Sequence, residues 1–335
     1  MHPREVQSNN LFRRYHLPTL GAIFGGIIIC TATLWYIYKL PYSPPGITSL
    51  DTYIQIAPGS TASGVAEQLE TQGVIRDAGL FIILLRAQNL TGEIKSGTYY
   101  FNDPESLDTI IDRITSGRYG LPTIKITLPE GQANYQYANL LAERLEYISA
   151  SRFRTLAAPY EGYLFPDTYF FPKRSTAQEL IDIMRAQFDK QITPLAGEIE
   201  ASPYTLDEIV IMASLVESEA GSASYATKQR VAGVLWRRIK EGMPLQADAV
   251  FSYIYQMHLP RVLYRHLEVD SPYNVYKNGG LPPGPIGNPG IDSIKATLDP
   301  IDEGYRYYLT GNDGTFHFAK TLVKHEQNRS LYLQY

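Results

Sequence analysis

The sequence predicts an α+β protein in three parts: a single N-terminal transmembrane helix, a small α+β module and a larger α+β domain. Three observations predict this: an uncharged run near the N-terminus, alternating strand and helix periodicities, and a second strand-to-helix start near residue 121. No later Pro/Gly/Ser linker interrupts residues 121–335, so they are predicted as one domain. The 335 residues suffice for two modest domains.

Residues 17–38 predict the transmembrane helix, because they carry no charged side chain between His16 and Lys39. At about 1.5 Å of rise per residue, this run can cross a hydrocarbon core of roughly 30 Å. A cleaved signal peptide is the alternative, but its apolar region would be shorter. A retained single-pass anchor is therefore favoured.

The distribution of basic residues predicts the orientation of this anchor. Arg4, Arg13 and Arg14 precede the run, and only Lys39 follows it closely. The positive-inside rule then makes residues 1–16 a cytoplasmic tail. The rest of the chain is expected on the periplasmic or extracytoplasmic side of the cytoplasmic (inner) membrane.

Composition excludes several classes of function. A net charge of -4 and a pI near 5.9 provide no basic field for a phosphate backbone, so nucleic acid is not an expected partner. The single cysteine, Cys30, excludes an internal disulfide framework. The six histidines lack the spacing of paired metal ligands, and no P-loop or dinucleotide fingerprint is present. We therefore expect neither a metal nor a cofactor.

Residues 47–120 predict the small module. A strand, a Pro-Gly turn and a helix that stops at Gly73 come first, followed by a second apolar helix. A strand pair is expected around Gly97, and a last helix is closed by Gly117. This order of elements resembles a LysM-type module, the small fold that holds N-acetylglucosamine polymers.

A buried helix is predicted from "YTLDEIVIMASLVESEAG". Thr205 and Glu208 form a capping box, so the helix should begin at Leu206. Residues 209–216 are almost entirely apolar. A helix that is apolar all round is expected to be buried on all sides.

Two glutamates, Glu217 and Glu219, follow at the C-terminal end of this helix. Burial and the negative end of the helix dipole both favour a protonated carboxyl there, as general-acid cleavage of a glycosidic bond requires. Alternatively, both glutamates simply emerge into solvent. Residues two apart point about 200° apart, so they are not a facing pair and either could be the buried one. A two-carboxylate glycosidase would need Asp248 or Asp167 as its second group.

A loop rich in glycine and proline, residues 271–290, is predicted to line a ligand groove. Its sequence, "SPYNVYKNGGLPPGPIGNPG", fixes an unusual backbone shape and carries several hydrogen-bonding side chains. Those side chains are Tyr273, Asn274, Tyr276 and Asn288. The polar pair Gln246 and Asp248 follows a separate amphipathic helix that ends at Gly242.

Five motifs in this order resemble the endolytic murein transglycosylase family, the YceG-like or MltG type. They are "EGYLFPDTY", "LVESEA", "GMPLQAD", the loop of residues 271–290 and "GTFHFAKTLVKHEQN". The resemblance extends from the membrane anchor to the C-terminus and makes residues 121–335 a YceG-like catalytic domain. It also makes Glu217 the catalytic residue, a choice that spacing alone leaves open.

The resemblance implies a lytic transglycosylase. It would cleave the MurNAc-GlcNAc bond within peptidoglycan strands, leave 1,6-anhydroMurNAc ends and terminate the elongation of nascent strands. Glu217 would protonate the glycosidic oxygen and then accept the proton of the muramyl C6 hydroxyl as that oxygen attacks C1. The implied partners are glycan strands, the membrane and peptidoglycan polymerases. The residues matching substrate-groove positions are Gln246, Asp248, Tyr273, Asn274, Tyr276 and Asn288.

Two departures from the family pattern and two alternative functions remain open. The chain has Ala249 and Val250 where the family usually has Pro-Thr, and Arg237 where Asn is usual. One alternative is an inactive, membrane-tethered scaffold that binds peptidoglycan. The other is a muramidase-type hydrolase, which would yield reducing ends.

Overall fold

The computed structural model describes residues 16–39 and 51–333, and it divides the chain into two compact units. The units are Met1–Pro122 and Thr123–Tyr335. Helices and short strands alternate in both, so the predicted α+β class is confirmed.

The first unit begins with a long helix, α1 (His16–Lys39), which covers the segment predicted to cross a membrane. Of the helices that the structure describes, none is both long and apolar enough to span a bilayer. The predicted cytoplasmic tail lies outside the described residues apart from His16. The remaining elements are β1 (Thr52–Ile56), α2 (Ala62–Thr71), α3 (Ala78–Ala87), β2 (Gly97–Phe101) and α4 (Leu107–Ser116).

The strands of this unit form one antiparallel pair, β1 with β2, and the helices α2, α3 and α4 supply the rest of its core. The predicted strand pair around Gly97 is wrong: a single strand begins there, and its partner is β1. Gly97 has a φ of 141°, and a side chain at this position would collide with the ring of Tyr119. Glycine therefore admits a close ring contact at the start of β2 instead of a turn.

The second unit contains two separate strand pairs, β3 with β4 and β5 with β6, both antiparallel. About half of its residues are helical. The elements are β3 (Thr123–Thr127), α5 (Asn134–Arg144), α6 (Ala150–Ala157), β4 (Thr168–Pro172), α7 (Ala177–Ile192), α8 (Ala196–Ala201), α9 (Leu206–Ala220), α10 (Tyr225–Lys240), α11 (Ala249–Ile254), α12 (Tyr264–Leu267), α13 (Ile291–Leu298), β5 (Tyr307–Thr310), β6 (Phe316–Ala319) and α14 (Leu322–Tyr332).

Helix α9 is the centre of this unit, as its sequence predicts. The capping box of Thr205 and Glu208 is present, and the helix begins at Leu206. Helices α10, α11 and α13 pack around it, and all of residues 209–216 except Ile211 are buried. Because apolar contacts enclose the helix on several sides, they fix the position of the carboxylates at its C-terminal end.

The Gly/Pro-rich loop of residues 271–290 contains no helix or strand and is held against two parts of the unit. Its Ile286 amide donates to the hydroxyl of Ser214 on α9 at 3.1 Å. The amide of Gly131 donates to the Asn288 carbonyl at 2.8 Å. A side chain at Gly287 would collide with the backbone of Gly131, so glycine permits this close approach.

Candidate active site

Glu217 is buried and held by donors from two other helices. Its Oε2 atom accepts from the Ser293 hydroxyl at 2.6 Å and from the Gly290 amide at 3.2 Å, both at the start of α13. The ammonium of Lys228 on α10 lies 3.5 Å from the same oxygen. Glu217 is 6% exposed and Lys228 4%. The sequence does not predict a positive charge beside this carboxylate.

The second oxygen of Glu217, Oε1, receives no hydrogen bond from the described residues. Oε1 is not fully enclosed by the described residues, so it keeps contact with solvent. A side chain at Gly221 would collide with Oε1. The two oxygens are therefore distinct: Oε2 is fixed by three donors, and Oε1 is available to a ligand.

A second carboxylate, Glu130, lies next to this site. Its carboxyl group packs against Gly290, where an added side chain would overlap it. The neighbouring Gly131 lies against the side chain of Glu217. Partial burial raises the pKa of Glu130 above its ordinary value, and the charge of Glu217 raises it further. The side chain as a whole remains exposed, so this carboxylate faces solvent beside Glu217.

Sequence reasoning did not select Glu130, Lys228 or Ser293. The available signal for Glu130 was its place in "LPEGQ", a carboxylate at a turn between β3 and α5. Lys228 and Ser293 lie within helices and carry no local signal. They reach Glu217 only because α10 and α13 pack against α9.

Glu219 occupies different surroundings, as its two-residue spacing from Glu217 predicts. It is half-buried and accepts from the Tyr308 hydroxyl at 3.2 Å. Burial raises the pKa of Glu219 to about 7, and the charge of Asp248 acts in the same direction. The hydroxyl of Tyr276 donates to Asp248 at 2.5 Å. Glu219, Asp248, Tyr276 and Tyr308 thus form a cluster, and among the described residues no hydrogen bond links it to Glu217.

The remaining predicted groove residues are divided between surface and interior. Gln246 is exposed with a φ of 50°, and its backbone N–H donates to the carbonyl of Val275 at 3.3 Å. Tyr273 is half-buried, and its ring lies 4.9 Å from that of Tyr253. The alternative second carboxylate Asp167 accepts from Gln187 at 2.7 Å and has no contact with Glu217. Of the six predicted groove residues, Gln246, Asp248, Tyr273 and Tyr276 have accessible side chains.

Asn274 and Asn288 are fully buried. The Asn274 amide donates to the carbonyls of Leu267 and Val269, each at 2.9 Å. The Asn288 side chain accepts from Leu164 and donates to Asn134, also at 2.9 Å. These contacts favour a role in fixing the loop over the predicted contact with a sugar, which stays a prediction.

A buried glutamate with one fixed and one available oxygen, beside a second carboxylate, is suited to acid-base chemistry. The sequence profile of the YceG-like family matches residues 54–330. The chain belongs to this family, and the resemblance drawn from the five motifs is confirmed.

Curated relatives carry one name, endolytic murein transglycosylase. The protein of that name from Bacillus subtilis (strain 168) is 33% identical over 307 residues, with 84% of each chain covered. The one from Streptococcus pneumoniae serotype 2 is 27% identical and covers 82% of this chain, which spans 57% of that relative. The crystal structure of a YceG-like protein from Listeria monocytogenes matches with a TM-score of 0.56 and 29% identity, covering 82% of this chain and 98% of that one.

Proposed function

We propose that this protein is an endolytic murein transglycosylase. It cleaves the MurNAc-GlcNAc bond within glycan strands, leaves 1,6-anhydroMurNAc ends and terminates the elongation of nascent strands. The names of the curated relatives support this activity. Glu217 is assigned as the acid because its two carboxyl oxygens differ. Oε2 has three donors, whereas Oε1 has none among the described residues.

The reaction needs one group that first gives and then takes a proton. Protonated at Oε1, Glu217 donates to the leaving glycosidic oxygen, and the bond from that oxygen to C1 breaks. The new carboxylate is stabilised by the Lys228 ammonium and by the Ser293 hydroxyl, which already contact Oε2. It then accepts the proton of the muramyl C6 hydroxyl as that oxygen bonds to C1. Glu217 ends protonated and no water is consumed.

Glu130 supplies a negative charge on the exposed side of the site. Cleavage of a glycosidic bond passes through an oxocarbenium-like transition state with positive charge near C1. A carboxylate that lies against Gly290, beside Glu217, stabilises that charge as the bond breaks. The position of Glu130 also favours a second candidate function, a muramidase, because its carboxylate could activate a water molecule instead of stabilising this charge.

The N-terminal anchor, its orientation and the LysM-like module belong to the same proposal. The uncharged residues 17–38 and the preceding arginines support a single-pass helix with a cytoplasmic N-terminus. The order β1, α2, α3, β2, with the strands antiparallel, supports a glycan-holding module before the catalytic domain. An enzyme held there would meet strands as the polymerases extend them, which makes those polymerases the proposed partners.

The product ends test the proposed function. The full chain in detergent is incubated with uncrosslinked glycan strands, beside Glu217→Gln and the control Glu143→Gln, an exposed glutamate on α5. Mass spectrometry should find anhydro ends from wild type and Glu143→Gln but not from Glu217→Gln. Reducing ends would instead establish a muramidase, and binding without any cleavage would establish the scaffold.

A further inference from the structure

A polar cavity lies in the same unit as Glu217. It has a volume of about 520 Å³. Its lining includes Glu161, Tyr163, Arg185, Asp207, Tyr273 and Pro285. The loop of residues 271–290 contributes Pro285 to this cavity and Gly290 to the Glu217 site. Because five residues of extended chain span at most about 17 Å, both sites lie on one stretch of loop.

Arg185 on α7 is held in this cavity by aromatic rings. Its guanidinium lies 5.4 Å from the ring centre of Tyr160, 5.1 Å from that of Tyr163 and 5.5 Å from that of Phe188. Cation–π contacts of this kind restrain a guanidinium and leave its N–H groups able to donate.

The N–H groups of Arg185 are not engaged by a close carboxylate. Within the described residues, the nearest is Asp189, one turn along α7, at 3.6 Å. Two carboxylates line the cavity, and each has another donor: Asp207 accepts from the hydroxyl of Tyr163, and Glu161 accepts from the backbone amide of Asn134 at 2.9 Å. The side chain of Arg185 is 30% exposed, so a ligand can reach it. A preoriented guanidinium with unused donors is suited to a carboxylate, which it can bind with two parallel hydrogen bonds.

The geometry points to this cavity as a subsite for the peptide side chains of murein. This inference rests on the proposed function, because it is the muramyl peptides that bring carboxylates close to the cleaved strand. The pocket then binds a peptide carboxylate through Arg185, while tyrosine rings cover the adjacent apolar surface. A strand with free peptide carboxylates is bound more tightly than the same strand with those carboxylates converted to amides.

The test compares these two strand forms by calorimetry. The full chain in detergent carries Glu217→Gln, so that strands remain intact, with or without Arg185→Gln or Arg185→Lys. The parent should bind the free-carboxylate strands roughly five- to tenfold more tightly than the amidated strands. This ratio corresponds to a free energy between that of an exposed ion pair and that of a hydrogen bond to a charged group. Arg185→Gln should remove the difference, and Arg185→Lys should keep only part of it.

The matched control is Arg230→Gln, which changes a half-buried arginine on α10 that pairs with Glu303. It should keep the preference of the parent. Equal affinity of the parent for both strand forms, or a preference that survives Arg185→Gln, overturns the subsite. That result leaves the proposed function standing, because the product ends test it separately. Thermal unfolding of each variant excludes a loss of fold as the cause.

Discussion

Replacing Ser293 with alanine removes one hydroxyl from the Glu217 site and changes little else. The hydroxyl donates to Oε2 at 2.6 Å, and the side chain is fully buried at the start of α13. Alanine is a better helix former than serine. The matched control is Thr297→Val, one turn along the same helix. That hydroxyl is also buried, but it donates to the Ser293 carbonyl and not to Glu217.

The expected loss of rate follows from the change in charge at Glu217. As this group gives up its proton, the Ser293 bond changes from a neutral pair to a pair with a carboxylate. Such bonds contribute about 0.5–1.5 kcal/mol and about 1.5–3 kcal/mol respectively. The difference of roughly 1–1.5 kcal/mol arises only as the glycosidic bond breaks, so Ser293→Ala should slow cleavage about tenfold with little change in KM.

Single-turnover cleavage of glycan strands, with anhydro ends counted by mass spectrometry, measures this step. Thr297→Val should retain the rate of wild type. A wild-type rate in Ser293→Ala would show that the hydroxyl does not stabilise the carboxylate. An equal loss in both variants would assign the effect to the packing of α13 and refute the argument.

Three further predictions concern the carboxylates. Glu130→Gln should lower cleavage roughly 10- to 100-fold without changing the anhydro product, as expected for lost electrostatic stabilisation; reducing ends made only by wild type would instead make Glu130 a water-activating base. Gly290→Ala should retain the fold, seen by thermal unfolding, yet lose activity as Glu130→Gln does, because the new methyl group displaces that carboxylate. Burial raises the pKa of Glu219 to about 7 from 4.5, so this group favours folding below about pH 4.5 and loses that contribution as pH rises to 7. In urea titrations Glu219→Gln should therefore gain up to about 3 kcal/mol over wild type at about pH 8 and nothing at about pH 4.

The sequence predicts helix α9 well because every local signal agrees there. The capping box sets its start, and the apolar surface on all sides requires burial. Spacing also predicts that Glu217 and Glu219 point apart, which their separate contacts confirm. Spacing does not predict the surroundings of each glutamate, because the donors to Glu217 come from residues 228, 290 and 293, which are distant in sequence.

The polar residues of the loop show the same limit. Tyr273 and Asn274 are adjacent in a segment that is uniformly rich in glycine, proline and polar groups. One lies in an accessible cavity, and the other is fully buried with its amide used by the backbone. An asparagine side chain in such a loop can hydrogen-bond either to a ligand or to the backbone of its own chain, and only tertiary packing decides between the two roles.

The glycines of the loop determine how far apart the two carboxylates stand. Gly287 lies on the backbone of Gly131, and Gly290 lies on the carboxyl group of Glu130 while its amide donates to Glu217. A side chain at Gly287 would push the backbone of residues 131 and 132 away from the loop, and one at Gly290 would displace the carboxyl group of Glu130. The separation of two carboxylates decides whether a water molecule fits between them, and hence whether water or the C6 hydroxyl of the substrate attacks C1. The loop therefore does more than line a groove, because its close contacts set the geometry on which the choice of product depends.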